Sequence, residues 1–286
     1  MTSESIPPTV REVYGPADLS SIPAFAGGFI NFGHWDGIAL DRPLTEADRV
    51  HSQQQLYRHT LAALTPPGAD AARTAAARSG ARVLEVGCGL GPGCALAVEE
   101  FGFAEVTGMD IHPQQLERAA RRNRALLAAR PGRLRFREGA AERMPFADGW
   151  FDGVYSVEAA QHFRDLGAFA GEAARVLRPG GRLVVACFFP PDDRPGAAGR
   201  LARMLDSFAS GLDVAHPVGA FTGALGDAGL RGVRAESIGD RVWPGWDRWL
   251  ATAGYTGTWS RNFLTAYREG LLDYYRVIAE APAGEG

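Results

Sequence analysis

The sequence predicts an α/β protein whose core is an open, mostly parallel sheet with helices on both faces. Three observations support this prediction. Short apolar runs of strand length recur between residues 83 and 187, segments with a helical pattern separate them, and the first run enters a glycine-rich turn that opens a helix. Strands buried on both faces appear as continuous apolar runs, and their alternation with helices is typical of parallel sheets.

Composition places the chain among ordinary globular proteins. Its 286 residues allow one large domain or two small ones, and 46% hydrophobic residues provide an ample core. The net charge of −3 and the sequence pI of about 6.1 give no overall basic surface, which argues against a nucleic-acid partner. All 30 residues of the Lys+Arg count are arginine, a bias that we attribute to GC-rich bacterial coding.

Several absences set further expectations. The N-terminus lacks the charged and apolar regions of a signal peptide, and no apolar run reaches the about 18 residues that suggest a membrane span. The three cysteines, Cys88, Cys94 and Cys187, are odd in number and have no metal-type spacing. The sequence therefore predicts a reduced, cytoplasmic protein without a membrane segment or a metal site.

The N-terminal region precedes the first strand. Residues 1 to about 22 are polar and contain prolines, which predicts a mobile arm. Thr45 followed by Asp48 is typical of a helix N-cap, and the helix is predicted to end near Leu64. An alanine-rich linker or helix over 69–80 leads into the first strand.

The first strand ends in a turn that has glycine at alternate positions. Without a Cβ atom, the backbone there can turn sharply and approach a ligand closely. Pro92 suits the first turn of the helix that follows, which is predicted to run to Phe101. The three glycines are Gly87, Gly89 and Gly91.

The glycine spacing narrows the choice of ligand. A dinucleotide fingerprint needs G-x-G-x-x-G, but its third glycine would fall on Pro92 or Cys94, and a phosphate loop needs a lysine, which the chain lacks. An acid, Glu85, stands two residues before the first glycine, and a second strand over 104–110 ends in Asp110. A carboxylate at the tip of the second strand suits the two hydroxyls of a ribose.

The remaining elements follow in regular order. Residues 189–218 contain a proline-rich loop and a short amphipathic helix, and residues 242–268 contain four of the six tryptophans. Further strands are predicted at 133–137, 151–158, 182–187, 232–238 and 270–280, and further helices at 113–129, 166–177 and 221–229.

Four signatures between 83 and 187 resemble those of the class I S-adenosylmethionine (SAM) methyltransferases, particularly the small-molecule enzymes of natural-product biosynthesis. They are the glycine turn, the second-strand acid, the Asp-Gly-Trp-Phe-Asp start of the fourth strand, and the Leu-Arg-Pro-Gly-Gly turn before the fifth. The resemblance implies a Rossmann-like, seven-stranded, mostly parallel sheet with helical lid insertions, SAM as cofactor and S-adenosylhomocysteine as product.

The resemblance also implies a division of the chain. Residues 1–68 would be an N-terminal arm and a helical segment over the cofactor, and 69–188 the SAM-binding core. Residues 189–218 would be a lid insertion, and 219–286 the rest of the core with a tryptophan-rich lid segment at 242–268. The glycine-bounded aromatic segment at 27–37 either closes over the cofactor or plugs the sheet edge.

By position, the resemblance assigns the cofactor residues. Ile111 would pack on the adenine, and Glu85 would orient the glycine turn or hold the donor's amino group through water. Ala140 stands where the family commonly has an aspartate that binds the adenine, so the backbone of Ala141 and the acid Glu142 would take its place. The predicted cofactor residues are Glu85, Gly87, Cys88, Gly89, Gly91, Asp110, Ile111, Ala141, Glu142 and Glu158.

His162 is the predicted catalytic base. Similar O-methyltransferases read Glu-Ser-x-His-His here, but Gln161 replaces the first histidine, and Cys187 stands where they carry an aspartate after the fifth strand. Without a carboxylate partner His162 would be a weaker base, or would only position the acceptor or cap a helix. The other five histidines have no ligand spacing and are interpreted as surface or core residues: His34, His51, His59, His112 and His216.

The sequence therefore predicts methyl transfer from SAM to a small-molecule acceptor in bacterial secondary metabolism, at an O, N or C atom. A non-methylating enzyme that retains SAM, such as a cyclase, remains an alternative, as does a silent binding protein; the glycine register disfavours a nicotinamide oxidoreductase. The tryptophans of 242–268 form either the wall of a pocket for a bulky or aromatic acceptor or the core of the lid. The sequence leaves a homodimer open.

Overall fold

The centre of the fold is one sheet of seven strands. The computed structural model describes residues 6–16, 19, 22–66, 68 and 70–284. The strands are β1 (Arg82–Val86), β2 (Glu105–Asp110), β3 (Leu134–Glu138), β4 (Phe151–Val157), β5 (Leu177–Phe189), β6 (Arg231–Ser237) and β7 (Asp273–Glu280). Their order is β3-β2-β1-β4-β5-β7-β6, and β7 runs in the direction opposite to the other six strands. This confirms the predicted mostly parallel sheet.

Twelve α-helices accompany the sheet in the described residues. Every residue from 181 to 189 of β5 is buried. Because successive side chains of a strand point to opposite faces, both faces of the sheet are covered there. The helices are α1 (Pro8–Tyr14), α2 (Glu46–Ala62), α3 (Ala71–Gly80), α4 (Pro92–Glu99), α5 (Pro113–Arg122), α6 (Arg124–Ala129), α7 (Leu166–Val176), α8 (Ala197–Met204), α9 (Asp206–Ala209), α10 (Val218–Asp227), α11 (Trp243–Thr252) and α12 (Asn262–Arg268).

The strand order reverses at β1, which lies between β2 and β4. Val86 pairs with Met109, so the carboxyl ends of β1 and β2 lie side by side. Open α/β sheets bind ligands outside the carboxyl ends of the strands at such a switch point. The topology therefore places the candidate site in front of the loops that follow β1, β2 and β4.

The N-terminal arm differs from its prediction. Residues 8–14 of the predicted mobile arm form α1, in which Val10 is buried, and residues 1–5, 17, 18, 20 and 21 of that prediction lie outside the described residues. Arg118 of α5 donates hydrogen bonds to the carbonyl oxygens of Tyr14 and Gly15, at 3.0 and 2.6 Å. These hydrogen bonds hold the described part of the arm against the sheet domain. The sequence did not predict them, because they join residues that are distant along the chain.

Helix starts follow the local sequence, but one predicted helix is divided. Thr45 and Asp48 form the predicted capping box at the start of α2. The single helix expected over 113–129 is two helices, α5 and α6, that meet at Asn123. The side chain of Asn123 donates to the carbonyl oxygen of Ala119 at 2.9 Å. At this interruption, the side chain of Asn123 competes with the backbone for a helix carbonyl.

Residues of the N-terminal segment, among them Phe32 and Arg49, pack with the tryptophan-rich segment at 242–268. Together they form a cap over the sheet. Phe32 contacts Trp243 and Trp246, with ring centroids 5.3 and 4.8 Å apart. The fully buried Arg49 donates to the carbonyl oxygens of Ala24 and Asn31. Burial lowers the pKa of Arg49 to about 9. The cap therefore combines residues from both ends of the chain, whereas the predicted domain boundaries remain a prediction.

Candidate active site

The turn after β1 has the conformation that its glycines permit. Gly87, Gly89 and Gly91 all have positive φ, at 76°, 51° and 69°. A Cβ on Gly87 would lie 2.3 Å from the Cβ of Ala159, and one on Gly91 would lie 2.7 Å from the ring of Phe136. A Cβ on Gly89 would meet nothing within 4 Å. Gly87 and Gly91 thus meet the protein closely, whereas Gly89 faces open space that a ligand can enter.

Asp110, the last residue of β2, is fixed by the neighbouring backbone. One carboxylate oxygen accepts a hydrogen bond from the N–H of Gly89 at 2.8 Å, and the other accepts one from the N–H of His112 at 2.9 Å. Burial raises the pKa of Asp110. An ionised carboxylate can accept about four hydrogen bonds, so each oxygen of Asp110 retains capacity for a ligand hydroxyl.

A cavity of about 250 Å³ lies in front of this turn, between the carboxyl ends of the strands and α1. Glu85 and Gly91 are the two predicted cofactor residues that do not line it. The predicted site residues that do line it are Gly87, Cys88, Gly89, Asp110, Ile111, Ala141, Glu142, Glu158 and His162. The structure therefore brings together most of the residues that the sequence singled out.

Glu85 is fully buried behind the turn. Its carboxylate accepts hydrogen bonds from the hydroxyls of Tyr57 and Tyr155, at 2.8 and 3.1 Å, and from the thiol of Cys94 at 2.9 Å. Burial raises its pKa to about 7. Three donors from α2, α4 and β4 fix Glu85 behind the turn and away from the cavity, which fits the first of its two predicted roles better than contact with the donor's amino group.

Glu158 follows β4 and is strained. Its φ is 49°, which a side chain rarely adopts. One carboxylate oxygen accepts a hydrogen bond from the N–H of Phe32 at 2.6 Å and another from the Tyr274 hydroxyl at 2.9 Å. Burial raises the pKa of Glu158 to about 8. Glu158 thus ties the aromatic segment of 27–37 to the end of the sheet and borders the cavity.

His162 lies in the turn after β4 with both ring nitrogens engaged. Nδ1 lies 3.0 Å from the carbonyl oxygen of Leu212 and 3.2 Å from a carboxylate oxygen of Asp213. Both of these atoms accept hydrogen bonds, so the proton of a neutral His162 belongs on Nδ1. Nε2 is then an acceptor, to which the hydroxyl of Tyr14 donates at 2.8 Å and the side-chain amide of Gln161 at 3.2 Å. His162 therefore has the tautomer that a base requires.

The expectation that His162 lacks a carboxylate partner was wrong. Cys187, at the family's aspartate position, donates its thiol to the side-chain oxygen of Gln161 at 2.9 Å. Asp213 supplies the carboxylate instead, from the segment between α9 and α10. The N–H of Val214 donates to the carbonyl oxygen of Gln161 at 2.8 Å, which holds that segment against the site. No motif surrounds Asp213 or Tyr14, so sequence reasoning missed both.

His112 and Gln115 are further cavity residues that sequence reasoning missed. His112 was expected to be an ordinary surface or core residue, but it borders the candidate site because it directly follows Ile111. Its Nε2 and the side-chain oxygen of Gln115 are buried without a hydrogen-bond partner. Buried polar atoms without partners are uncommon and call for an explanation. Both atoms are buried in this arrangement, so a ligand in the cavity would reach them only after the side chains move.

The tryptophan-rich segment forms the core of the cap. Trp243, Trp246 and Trp249 are buried, and Trp243 stacks on Phe263 with ring centroids 5.2 Å apart. None of the tryptophans lines the cavity. Of the two interpretations of this segment, the geometry therefore favours a lid core over a wall of the acceptor pocket.

The residues present fit SAM. The open face of Gly89 admits a ligand next to the backbone, Asp110 offers carboxylate oxygens to hydroxyls, and Ile111 offers an apolar surface beside them. Among the described residues, no group of three or more His, Cys, Asp and Glu side chains could hold a metal ion. The fold and the cavity define a protein that binds a nucleoside-containing cofactor at the switch point of a parallel sheet.

Comparison with known proteins identifies that class more closely. A family model described as a methyltransferase domain matches residues 84–185. The chain is 32% identical over 261 residues to the fatty-acid O-methyltransferase of Mycolicibacterium smegmatis, a match that covers 89% of this chain and 84% of that protein. It is 31% identical over 272 residues to the erythromycin 3''-O-methyltransferase of Saccharopolyspora erythraea, covering 90% and 81%.

Solved structures show the same fold. A geranyl diphosphate C-methyltransferase from Streptomyces coelicolor, in complex with Mg²⁺, geranyl-S-thiolodiphosphate and S-adenosyl-L-homocysteine, superposes with a TM-score of 0.76 at 20% identity, covering 95% of both chains. The [4+2]-cyclase SpnF superposes with a TM-score of 0.65 at 21% identity, covering 93% of this chain and 94% of that one.

The chain belongs to the class I SAM-dependent methyltransferases that act on small molecules. SAM is its cofactor, as the predicted signatures indicated. Across the described parts of the chain, the structure contains no helix with the length and apolar character that crossing a bilayer requires.

Proposed function

We propose that the protein transfers a methyl group from SAM to a hydroxyl group of a small-molecule acceptor, with His162 as the base that accepts the hydroxyl proton. The observation that carries this proposal is the hydrogen-bonding state of His162. Nδ1 faces the carbonyl oxygen of Leu212 and the carboxylate of Asp213, and Nε2 accepts a hydrogen bond from the hydroxyl of Tyr14. A hydroxyl on the acceptor would use Nε2 in the same way.

The residues that would hold the cofactor surround the glycine turn. Asp110 would bind hydroxyls, Gly89 would allow close approach of the backbone, and Ile111 would pack against a flat base. When bound, SAM supplies a methyl group on a positively charged sulfur, which is already activated toward attack. The protein's own tasks are therefore to orient the acceptor and to manage one proton.

Asp213 gives His162 the support that a base needs. As Nε2 takes the hydroxyl proton, the imidazole becomes positively charged. The carboxylate of Asp213, 3.2 Å from Nδ1 and nearly buried, stabilises that charge. The carbonyl oxygen of Leu212 holds the ring orientation at 3.0 Å. Together these contacts support proton transfer at Nε2 and nowhere else on the ring.

The biological setting is also part of the proposal. The erythromycin 3''-O-methyltransferase and the fatty-acid O-methyltransferase transfer to oxygen by name. We infer that this chain modifies a hydroxyl in a bacterial secondary metabolite inside the cytoplasm. The tryptophans of 242–268 do not line the cavity, so acceptor size is set by the residues around His162.

The first experiment is calorimetric titration with S-adenosylhomocysteine and, in parallel, with NADH. Binding of the former alone is expected because the turn lacks the dinucleotide spacing. Turnover of labelled SAM with a panel of hydroxylated compounds then tests transfer, and the His162→Ala variant is expected to lose about 10²–10⁴-fold in kcat. Full turnover by this variant would remove His162 from its proposed role.

The cyclase alternative makes a different prediction. The similarity to SpnF concerns the fold, and Ala140 departs from the family's adenine-binding aspartate. A cyclase that retains SAM would convert its substrate without releasing S-adenosylhomocysteine. Stoichiometric release of S-adenosylhomocysteine with product supports transfer, whereas conversion without release would establish the alternative.

A further inference from the structure

A phenolic hydroxyl already occupies the reacting position at His162. The hydroxyl of Tyr14 lies 2.8 Å from Nε2, and the two rings meet edge to face with centroids 5.4 Å apart. Nε2 is the atom that the proposed function assigns to the hydroxyl of the acceptor. The amide of Gln161 lies 3.2 Å from the same atom, so Nε2 has no room for a third donor, and a methyl acceptor can use it only after Tyr14 has left.

Tyr14 reaches His162 because α1 closes the cavity. Pro7, Val10 and Tyr14 all line it. The end of α1 is secured by the two hydrogen bonds from Arg118 to the carbonyl oxygens that follow Val13. Arg118 lies on α5 and does not line the cavity. Its two hydrogen bonds can therefore be removed without altering the residues around His162.

The surroundings of Tyr14 define what can replace it. Burial raises the pKa of Tyr14, and the negative charges of Asp213, Glu158 and Asp110 raise it further. Tyr14 is thus a neutral hydroxyl that donates to His162, as an acceptor would before proton transfer. The carboxylates of Asp213 and Asp110 repel an anionic acceptor, which disfavours a carboxylic acid at this position.

We propose that the side chain of Tyr14 occupies the acceptor subsite, and that a neutral ring hydroxyl, best a phenol, binds there by displacing α1 from His162. This inference rests on the proposed function, since that function gives Nε2 its role. It adds the chemical class of the acceptor and the segment that must move before the acceptor binds.

The probe for this subsite is 4-methylphenol, which is the side chain of tyrosine as a free molecule. In the presence of S-adenosylhomocysteine, the Tyr14→Ala variant is expected to bind 4-methylphenol at least about tenfold more tightly than the wild-type protein, because its competitor is gone. Toluene and 4-methylbenzoate are the controls for shape without the hydroxyl and for charge. We expect the benzoate to bind Tyr14→Ala at least about tenfold more weakly than the phenol.

Adding His162→Ala to Tyr14→Ala tests whether the probe uses Nε2. The double variant is expected to lose roughly fivefold to tenfold in affinity for 4-methylphenol and nothing for toluene, as loss of one hydrogen bond predicts. Two results would overturn the proposal. One is equal affinity of the wild-type and Tyr14→Ala proteins for 4-methylphenol, and the other is equal affinity of Tyr14→Ala and the double variant.

A second variant leaves the subsite intact. Arg118→Ala is expected to raise the affinity for 4-methylphenol severalfold and to speed hydrogen exchange in residues 8–16, because α1 is released more readily. Arg121→Ala, at an exposed position of the same helix, is the control and should change neither. Faster exchange with unchanged affinity would contradict displacement by the acceptor. These measurements need no turnover, so they stand apart from a failure to detect methyl transfer.

Discussion

At the scale of single residues, the site depends on side chains that fix a protonation state. The proposed role of His162 as a base depends on Leu212 and Asp213, which accept from Nδ1 and so leave Nε2 without a proton of its own. Asp213 lies 51 positions further along the chain. Cys187 stands at the family's aspartate position, and the carboxylate of Asp213 contacts the His162 ring from another segment; we propose that it takes the place of that aspartate.

Asp213→Asn tests this compensation. We expect kcat to fall by about 10- to 100-fold, because an amide in place of the carboxylate no longer stabilises the protonated ring. The affinity for S-adenosylhomocysteine should be unchanged, since Asp213 does not line the cavity. Asp206→Asn, at an exposed position of the same insertion, is the matched control. A full loss of folded protein in Asp213→Asn, seen by circular dichroism, would assign Asp213 a structural role instead.

Glu158 gives a prediction about stability and pH. Burial raises its pKa to about 8 from the usual 4.5, so the folded protein binds this proton more tightly than the unfolded chain. Its contribution to stability is complete below pH 4.5 and is lost as pH rises through 8, with a slope of at most about 1.4 kcal/mol per pH unit. Glu158→Gln keeps the acceptor for Phe32 and Tyr274 and should flatten this dependence in urea unfolding.

The control for that measurement is Glu117→Gln, because the Glu117 side chain is 67% exposed and its ion pair with Arg121 is long. It should leave the pH dependence of the free energy of unfolding as in the wild-type protein. An unchanged dependence in Glu158→Gln would mean that Glu158 is ionised in the folded protein at neutral pH.

At the scale of elements, the turn after β1 shows how much the sequence determines locally. The alternate glycines, Pro92 and the acid at the end of β2 predicted the turn, the next helix and the cofactor edge, because each acts through its own backbone conformation or its neighbours. The placement of α1 was missed because it depends on contacts with α5, which is distant in sequence, and the interruption at Asn123 was missed because no motif marks the side-chain bond to Ala119.

A comparison of Gly89 with Gly132 distinguishes backbone strain from contact with a ligand. Gly89 and Gly132 both have positive φ and open space where a Cβ would lie, but only Gly89 lines the cavity. Gly89→Ala and Gly132→Ala are each expected to lose about 1 kcal/mol of stability. Only Gly89→Ala should lose affinity for S-adenosylhomocysteine, by about tenfold or more. Equal cofactor affinity of the two variants in calorimetric titration would mean that the ligand does not approach Gly89.

At the scale of the whole molecule, sequence order and spatial order diverge most at the cap. The sheet has seven strands and is mostly parallel, as predicted. The cap combines residues that precede the first strand with residues that follow β6. No local sequence pattern therefore shows that Phe32 contacts Trp243 or that Arg49 lies near Trp246. The same reason hides Tyr14 and Asp213 from sequence reasoning.

The cap and the sheet share one apolar core, which predicts one unfolding transition. Phe32 of the cap contacts Phe188 of β5, and Arg49 fixes the cap through two backbone carbonyls. Arg49→Met leaves both carbonyls without a donor and should lower the free energy of unfolding by about 2–4 kcal/mol. The exposed Arg248→Met is the control. Because the core is continuous, calorimetry should show a single shifted transition; two separate transitions would mean that the cap unfolds independently of the sheet.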